Sequence, residues 1–482
     1  MKNILLATSE CVPFIKTGGL ADVAGELPKY IDKDQYDVRV ILPNYMAIPE
    51  KYKKDMHFIT SFYIDLAWRR QYVGILESVI DGVHFYLIDN EYYFNGDKPY
   101  GDVRWDIEKF SFFCRAVLSA LPLLDYRPDL IHCNDWQTAL IPVYLKDGDT
   151  FQKSEYYRGI KSIMTIHNLK FQGVWDKDTV KDITGLPDYY FTADKLEAYG
   201  NANLLKGGIE YADYVTTVSE TYATEIQMSF YGEGLDGLMR ARNGYLGGII
   251  NGIDYKVYDP ETDPYIKHHF NRATFRKEKS KNKKELQKEL GLEVDEKRFM
   301  VGLVSRLTDQ KGLDLVDCVM DELCSEDMQF VILGTGEARY ENMFRHYEWK
   351  YNGRVSASIY YNNERAHKIY ASCDAFLMPS LFEPCGLSQL MSMRYGTVPI
   401  VRQTGGLADT VDPYNEYESS GTGFGFCNYN AHEMLWTVRY AKNIFYNKKR
   451  EWNKIVDRTM EKDFSWAGSA VKYENLYKRL LG

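Results

Sequence analysis

The hexapeptide Thr17-Gly18-Gly19-Leu20-Ala21-Asp22 recurs letter for letter as Thr404-Gly405-Gly406-Leu407-Ala408-Asp409. Each copy follows a short apolar run and precedes a predicted helix. Paired glycines leave backbone N–H groups uncovered, and the helix start adds its positive end. In open α/β sheets ligands bind at this edge, outside the carboxyl ends of the strands. One such turn in each half of the chain predicts two α/β halves and an anion held in a cleft between them.

The rest of the sequence keeps that rhythm. Ile4–Ala7, Val38–Leu42, Phe85–Ile88, Leu130–His132, Ser162–Ile166, Tyr214–Val218 and Gly248–Ile250 read as buried parallel strands, being continuously apolar rather than alternating. From Lys109 to Leu124 the apolar residues Phe110, Phe113, Val117, Ala120, Leu121 and Leu124 fall at helical spacing. Strand, helix and strand in series imply a doubly wound α/β architecture.

The pattern breaks from about 259 to 296. The run Lys279-Ser280-Lys281-Asn282-Lys283-Lys284 is expected to be the solvated face of a helix. Strands resume at Phe299–Val304, Phe330–Leu333, Ser356–Tyr360, Ala375–Met378 and Val398–Val401. A chain of 482 residues suggests two or three domains. The expected division is 1–256 and 257–462, with a closing helix over 463–482.

Composition narrows the function classes. A net charge of −9 argues against a nucleic-acid partner, because phosphate backbones call for excess Lys and Arg. No apolar run is long enough to span a membrane, and the N-terminal run is too short for a signal peptide, so a cytoplasmic protein is expected. Eight cysteines lack metal-ligand spacing and read as reduced, mostly buried thiols. The 39 tyrosines read as core filling before sugar platforms. No Walker pattern occurs, and Gly334-Thr335-Gly336 is not completed to GxGxxG, which disfavours a P-loop NTPase or a dinucleotide oxidoreductase.

Several polar residues sit at the ends of predicted strands. Lys16 precedes the first glycine turn, as a phosphate cradle or as part of a structural turn. Arg306 and Lys311 bracket the turn after Phe299–Val304. They are either two cations that neutralise a departing diphosphate or two solvated bases at a helix start, where the macrodipole disfavours them without an anion. Glu383, followed by Pro384 and a small-residue turn, is a candidate to accept hydrogen bonds from sugar hydroxyls, and the N–H groups of Cys385, Gly386 and Leu387 are expected to open a helix against phosphate. Cys385 has no neighbouring histidine and reads as a packing or contact residue. His167 and Asp135 each end a strand, and Trp136 is a candidate sugar platform.

Together these residues resemble the bacterial glycogen synthase and plant starch synthase family. The matching stretches are Glu10–Pro28, Asn134–Leu140, Thr165–Gly173, Asn251–Asp254, Lys281–Leu292, Ser305–Leu313, Pro379–Leu390 and Thr404–Val411. The resemblance implies the GT-B fold, two Rossmann-like domains facing across a cleft, and a C-terminal helix crossing back to the first. It implies that Lys16 with Gly18 and Gly19, and Arg306 with Lys311, hold the nucleotide diphosphate. Glu383 and the Cys385-Gly386 backbone would hold the donor glucose, with His167 near the reacting carbon and Asp135 close to donor or acceptor. Tyr361 would stack on the base. Asp22, Asn251, Leu387, Thr404, Gly405 and Gly406 complete the expected binding set.

The implied reaction moves glucose from a nucleotide-sugar, ADP-glucose before UDP-glucose, to the non-reducing end of glycogen or a maltooligosaccharide, with retention. Neither metal nor organic cofactor is expected. One glutamate without an opposed carboxylate argues for front-face substitution over double displacement. Three positions depart from the wider pattern. Met391, with Gln389 nearby, stands where related transferases carry a second acid. Lys170 replaces a small residue, and Asn134 stands where a second histidine is common. The rival readings are a phosphorylase-like enzyme needing pyridoxal phosphate and a non-catalytic glucan-binding protein.

Overall fold

The computed structural model describes residues 1–146 and 151–482. The chain divides into two compact units. The first comprises Met1–Val218, Ala223–Asn251 and Trp466–Gly482, and the second Ser219–Tyr222 and Gly252–Ser465.

In the first unit the strands are β1 (Lys2–Ala7), β2 (Tyr36–Pro43), β3 (His57–Leu66), β4 (Arg69–Ile80), β5 (Val83–Asp89), β6 (Leu130–Asn134) and β7 (Lys161–Ile166), then β8 (Val174–Asp176), β9 (Glu197–Ala198), β10 (Asn201–Asn203), β11 (Tyr214–Thr217) and β12 (Leu246–Gly248). Among the described residues nine of them form one sheet in the order β12-β11-β7-β6-β1-β2-β5-β4-β3. The pairings are parallel except β3 with β4 and β4 with β5. β1 is the pivot, with β2 on one side and β6 on the other. The chain winds from β1 toward one edge, then returns to the opposite side at β6. That reversal is the switch point at which doubly wound sheets open a crevice.

The second unit repeats the plan with β13 (Phe299–Val304), β14 (Met328–Leu333), β15 (Val355–Ser358), β16 (Ala375–Met378), β17 (Val398–Arg402) and β18 (Phe424–Phe426). They form a parallel sheet in the order β15-β14-β13-β16-β17-β18, reversing between β13 and β16.

The apolar runs that suggested strands are buried because helices cover both faces; Ile4–Ala7 are wholly inaccessible. Three details differ from the sequence reading. The helix expected over 109–124 runs Val103–Ala120, because the Asp102 carboxylate caps it by accepting from Trp105 N–H and Pro122 lies in the 3-10 turn that follows. The strand expected at 248–250 lies at Leu246–Gly248. The hairpin β3–β4 was not foreseen, since its outer strand alternates exposed and half-buried positions.

The lysine-rich helix Phe275–Glu289 corrects the expectation of a fully solvated face. Lys279 Nζ donates to the carbonyls of Tyr370, Ala371 and Tyr395 and to Thr397 Oγ1. Those carbonyls end the helices Asn363–Ser372 and Ser388–Arg394, which carry partial negative charge there. Lys283, almost wholly buried, pairs with Asp374 at 2.5 Å.

The helix Trp466–Leu481 packs in the first unit, burying Trp466, Tyr473 and Tyr477. Tyr477 Oη lies 3.0 Å from His132 Nδ1, and His132 Nε2 lies 2.6 Å from Thr165 Oγ1. All eight cysteines are free, with Cys318 and Cys427 exposed. Among the described residues no helix is long and apolar enough to cross a membrane.

Candidate active site

Each unit gathers expected site residues at the carboxyl ends of its central strands. In the first unit the segment after β1 carries Lys16, Gly18, Gly19 and Asp22. Gly18 caps the helix Gly19–Tyr30 with extended backbone and no side-chain hydrogen bond. Glu10 shapes the turn from beneath. Its carboxylate accepts from both the N–H and the hydroxyl of Thr17, each at 2.6 Å. Burial pushes the Glu10 carboxyl up, against the pull of the Thr17 hydrogen bonds. Lys16 Nζ rests on Asp22 at 2.7 Å.

Asp135 follows β6 with φ at +56°, a left-handed conformation for a non-glycine residue. Its Oδ1 accepts the backbone N–H of His167 at 2.7 Å. Burial pushes its pKa up to about 7, opposed by the N–H groups of His167 and Asn168. The His167 ring lies against Asn134, Nε2 to Oδ1 at 2.8 Å, and burial pushes its pKa down to about 3. Asn251 is buried, and its Oδ1 finds no partner among the described residues.

Trp136 corrects the sugar-platform expectation. It is buried, edge-on to the Phe110 ring at 5.5 Å, and a side chain at Gly173 would strike its indole within 2.4 Å. The indole is a packing surface for the strand ends.

In the second unit Lys311 and Glu383 meet directly. Nζ lies 2.6 Å from Glu383 Oε2, which also accepts from Ser380 Oγ at 3.0 Å. Glu383 is held by the turn after β16, and Lys311 by the 3-10 turn Asp309–Lys311 after β13. The second glycine pair packs on that turn. Gly406 N–H donates to the Glu383 carbonyl at 3.0 Å. A Cβ on Gly405 would stand 2.0 Å from that carbonyl oxygen, and one on Gly406 2.1 Å from the Cys385 oxygen. Thr404 caps the helix Gly405–Thr410. Asp409 of the second copy accepts from Thr221 N–H at 3.0 Å, a role unlike that of Asp22.

Cys385 is buried beside Gly386, and Leu387 caps the helix Ser388–Arg394 without a side-chain partner. Gln389 turns its amide N–H onto the carbonyls of Cys385 and Gly386, both at 3.0 Å. Arg306 is exposed and makes no ion pair among the described residues. Tyr361 is 82% exposed, just ahead of the Asn362-capped helix Asn363–Ser372. The structure thus brings together Lys311, Glu383, Cys385, Gly386, Gly405 and Gly406, while Arg306 follows β13 and Tyr361 follows β15, two strands away in the sheet. Glu10, Asn134 and Ser380 support the expected residues from within the motif-bearing stretches Glu10–Pro28, Asn134–Leu140 and Pro379–Leu390. Of the three the sequence singles out Asn134, as a departure able to alter acceptor contacts, while nothing local distinguishes Glu10 or Ser380 from their neighbours.

Two parallel, doubly wound units with polar residues at their switch points define a GT-B glycosyltransferase. Residues 3–241 match the starch synthase catalytic domain model, and residues 282–454 match glycosyl transferases group 1. The glycogen synthase of Lachnospira eligens is 71% identical over 480 residues, covering the whole of both chains. That of Clostridium acetobutylicum is 50% identical, covering 99% of this chain and all of that one. The catalytic domain of starch synthase IV from Arabidopsis thaliana, bound to ADP and acarbose, superposes with a TM-score of 0.91 at 32% identity, covering 100% of this chain and 99% of that chain. The chain belongs to the glycogen and starch synthase family.

Proposed function

We propose that this glycogen synthase transfers glucose from ADP-glucose to the 4-hydroxyl at the non-reducing end of an α-1,4-glucan, retaining the anomeric configuration. The observation that carries the reading is the Lys311–Glu383 pair set against the Gly405-Gly406 turn. A cation, a carboxylate and the start of the helix Ser388–Arg394, which has no side-chain cap, sit at one switch point. That is the set a sugar diphosphate needs, with cation and N–H groups for phosphate and carboxylate for sugar hydroxyls. The plant relative bound to ADP supports adenine as the base.

In this mechanism Arg306 and Lys311 take up the charge that builds on the departing diphosphate. Glu383, released from Lys311, turns to the sugar hydroxyls. In the first unit the Gly18-Gly19 turn, with Lys16 beside it, is a second helix start suited to an anion. His167 and Asp135 line the sugar. No second carboxylate is assigned as a nucleophile, so the acceptor hydroxyl approaches the face the diphosphate leaves and passes its proton to a phosphate oxygen. Tyr361 stacks on the base, and the reaction proceeds in the cytoplasm.

The test is turnover of ADP-glucose and UDP-glucose side by side on glycogen, with the new linkage read by NMR. An α-1,4 product and at least tenfold higher kcat/KM for ADP-glucose are expected. Equal or better use of UDP-glucose would overturn the donor assignment, and a β-linked product would overturn retention.

A further inference from the structure

Asn134 occupies a place that its own hydrogen bonds define. Its Nδ2 donates to the Ala7 carbonyl at the end of β1, at 3.1 Å, and to the His132 carbonyl on β6, at 3.3 Å. With the nitrogen end committed to two acceptors, the amide has one orientation. A flipped amide would set Oδ1 against both carbonyls. Oδ1 therefore faces His167 Nε2, at 2.8 Å, and an oxygen with no hydrogen there is an acceptor only. The hydrogen of that bond belongs to the imidazole.

We propose that Asn134 is a positioning residue that locks the His167 imidazole as its Nε2–H tautomer and presents Nδ1 as a hydrogen-bond acceptor to the donor sugar. The assignment rests on the reading of His167 as a sugar contact. Asp135, the next residue, holds the same histidine through its backbone N–H at 2.7 Å. The last residue of β6 and the one after it thus clamp one histidine, at the ring and at the main chain. The ring is kept neutral by burial. A neutral Nε2–H imidazole accepts a hydrogen bond from a hydroxyl at Nδ1, whereas an imidazolium only donates.

The experiment is nitrogen-15 NMR of the full chain labelled at histidine, with His167→Gln assigning the ring. Wild type should show His167 as the neutral Nε2–H tautomer. An Nδ1–H tautomer or an imidazolium at neutral pH overturns the proposal outright, without any variant of Asn134 needing to fold. Asn134→Leu should lose the Nε2–H signature and lower kcat on the order of 10²-fold, with KM for the nucleotide-sugar little changed. A folded Asn134→Leu with the wild-type signature refutes the lock. If His167→Gln turns over as fast as wild type, the sugar-contact reading fails instead, while the NMR result still decides the tautomer.

Discussion

Lys311 and Glu383 neutralise each other across 2.6 Å, although each is expected to serve a different part of the donor. Both side chains are largely buried, so the pair compensates a desolvation that neither charge bears well alone. On the proposed reading, donor binding would exchange this internal partner for phosphate on Lys311 and sugar hydroxyls on Glu383.

Removing one partner should therefore cost stability as well as turnover. Lys311→Met should destabilise by about 3–5 kcal/mol, since it leaves a buried carboxylate with Ser380 as its remaining partner. The double variant Lys311→Met, Glu383→Gln should recover most of that loss in urea unfolding yet stay inactive. Each single variant should lose kcat on the order of 10²–10³-fold. Arg306→Ala should lose kcat similarly with unchanged stability, because Arg306 is exposed and unpaired among the described residues. Full kcat in both Arg306→Ala and Lys311→Met would remove the leaving-group role.

The two identical hexapeptides should respond differently to the same substitution. A Cβ on Gly18 meets its nearest heavy atom, Glu10 Oε1, at 3.5 Å, an ordinary contact. Gly18→Ala should fold with stability within about 1 kcal/mol of wild type and raise KM for the nucleotide-sugar. Gly405→Ala, the same position in the second copy, drives a methyl to 2.0 Å from the Glu383 carbonyl, so the turn bearing Glu383 must move. It should lose both Tm and kcat. Matching effects in the two variants would mean that the copies do the same work.

Those contrasts mark the limit of what the sequence could say. Strands β1, β6, β7, β13, β16 and β17 were legible because parallel strands buried on both faces read as unbroken apolar runs. β3 was not, because an outer antiparallel strand alternates, and its bulge between Phe58 and Thr60 interrupts even that. The positions of Lys16, Lys311 and Glu383 at strand ends followed from the motifs. The burial of Trp136 depended on Phe110 and Gly173, which no local pattern ties to it. The anchoring of Lys279 depended on carbonyls 91 to 116 residues away, and a carbonyl acceptor leaves no trace in side-chain composition.

Two buried groups should give the first unit opposite pH slopes. Asp135 titrates near 7 when folded and near 4 when unfolded, by ordinary carboxylate values. The folded state then holds more protons between those limits, so stability falls as pH rises from about 4 to about 7. His132, pushed down to about 3 by burial, is the reverse. The unfolded state holds more protons between about 3 and 6.5, so its contribution rises with pH across that range and is lost on acidification. Unfolding free energies from pH 4 to 8 separate the two. Asp135→Asn should gain on wild type as pH climbs, and His132→Gln should flatten the acid limb. His167, lowered like His132, is left intact in both. Parallel pH curves for wild type and Asp135→Asn would mean that Asp135 ionises normally.

Lys279 separates structural cations from functional ones. It closes the carboxyl ends of two helices, Asn363–Ser372 and Ser388–Arg394, and the second of these follows the turn that carries Glu383. Its Nζ serves three main-chain carbonyls at those helix ends. Lys279→Met keeps the aliphatic stem and removes the donors, leaving acceptors unsatisfied at a cost of about 1–3 kcal/mol. The variant should unfold at lower urea with an unchanged m-value. KM for the nucleotide-sugar should stay at the wild-type value, because the lysine binds only main chain and one threonine. A shift in KM without loss of stability would instead make Lys279 part of the binding site, and the charged helix would have to be read again as functional.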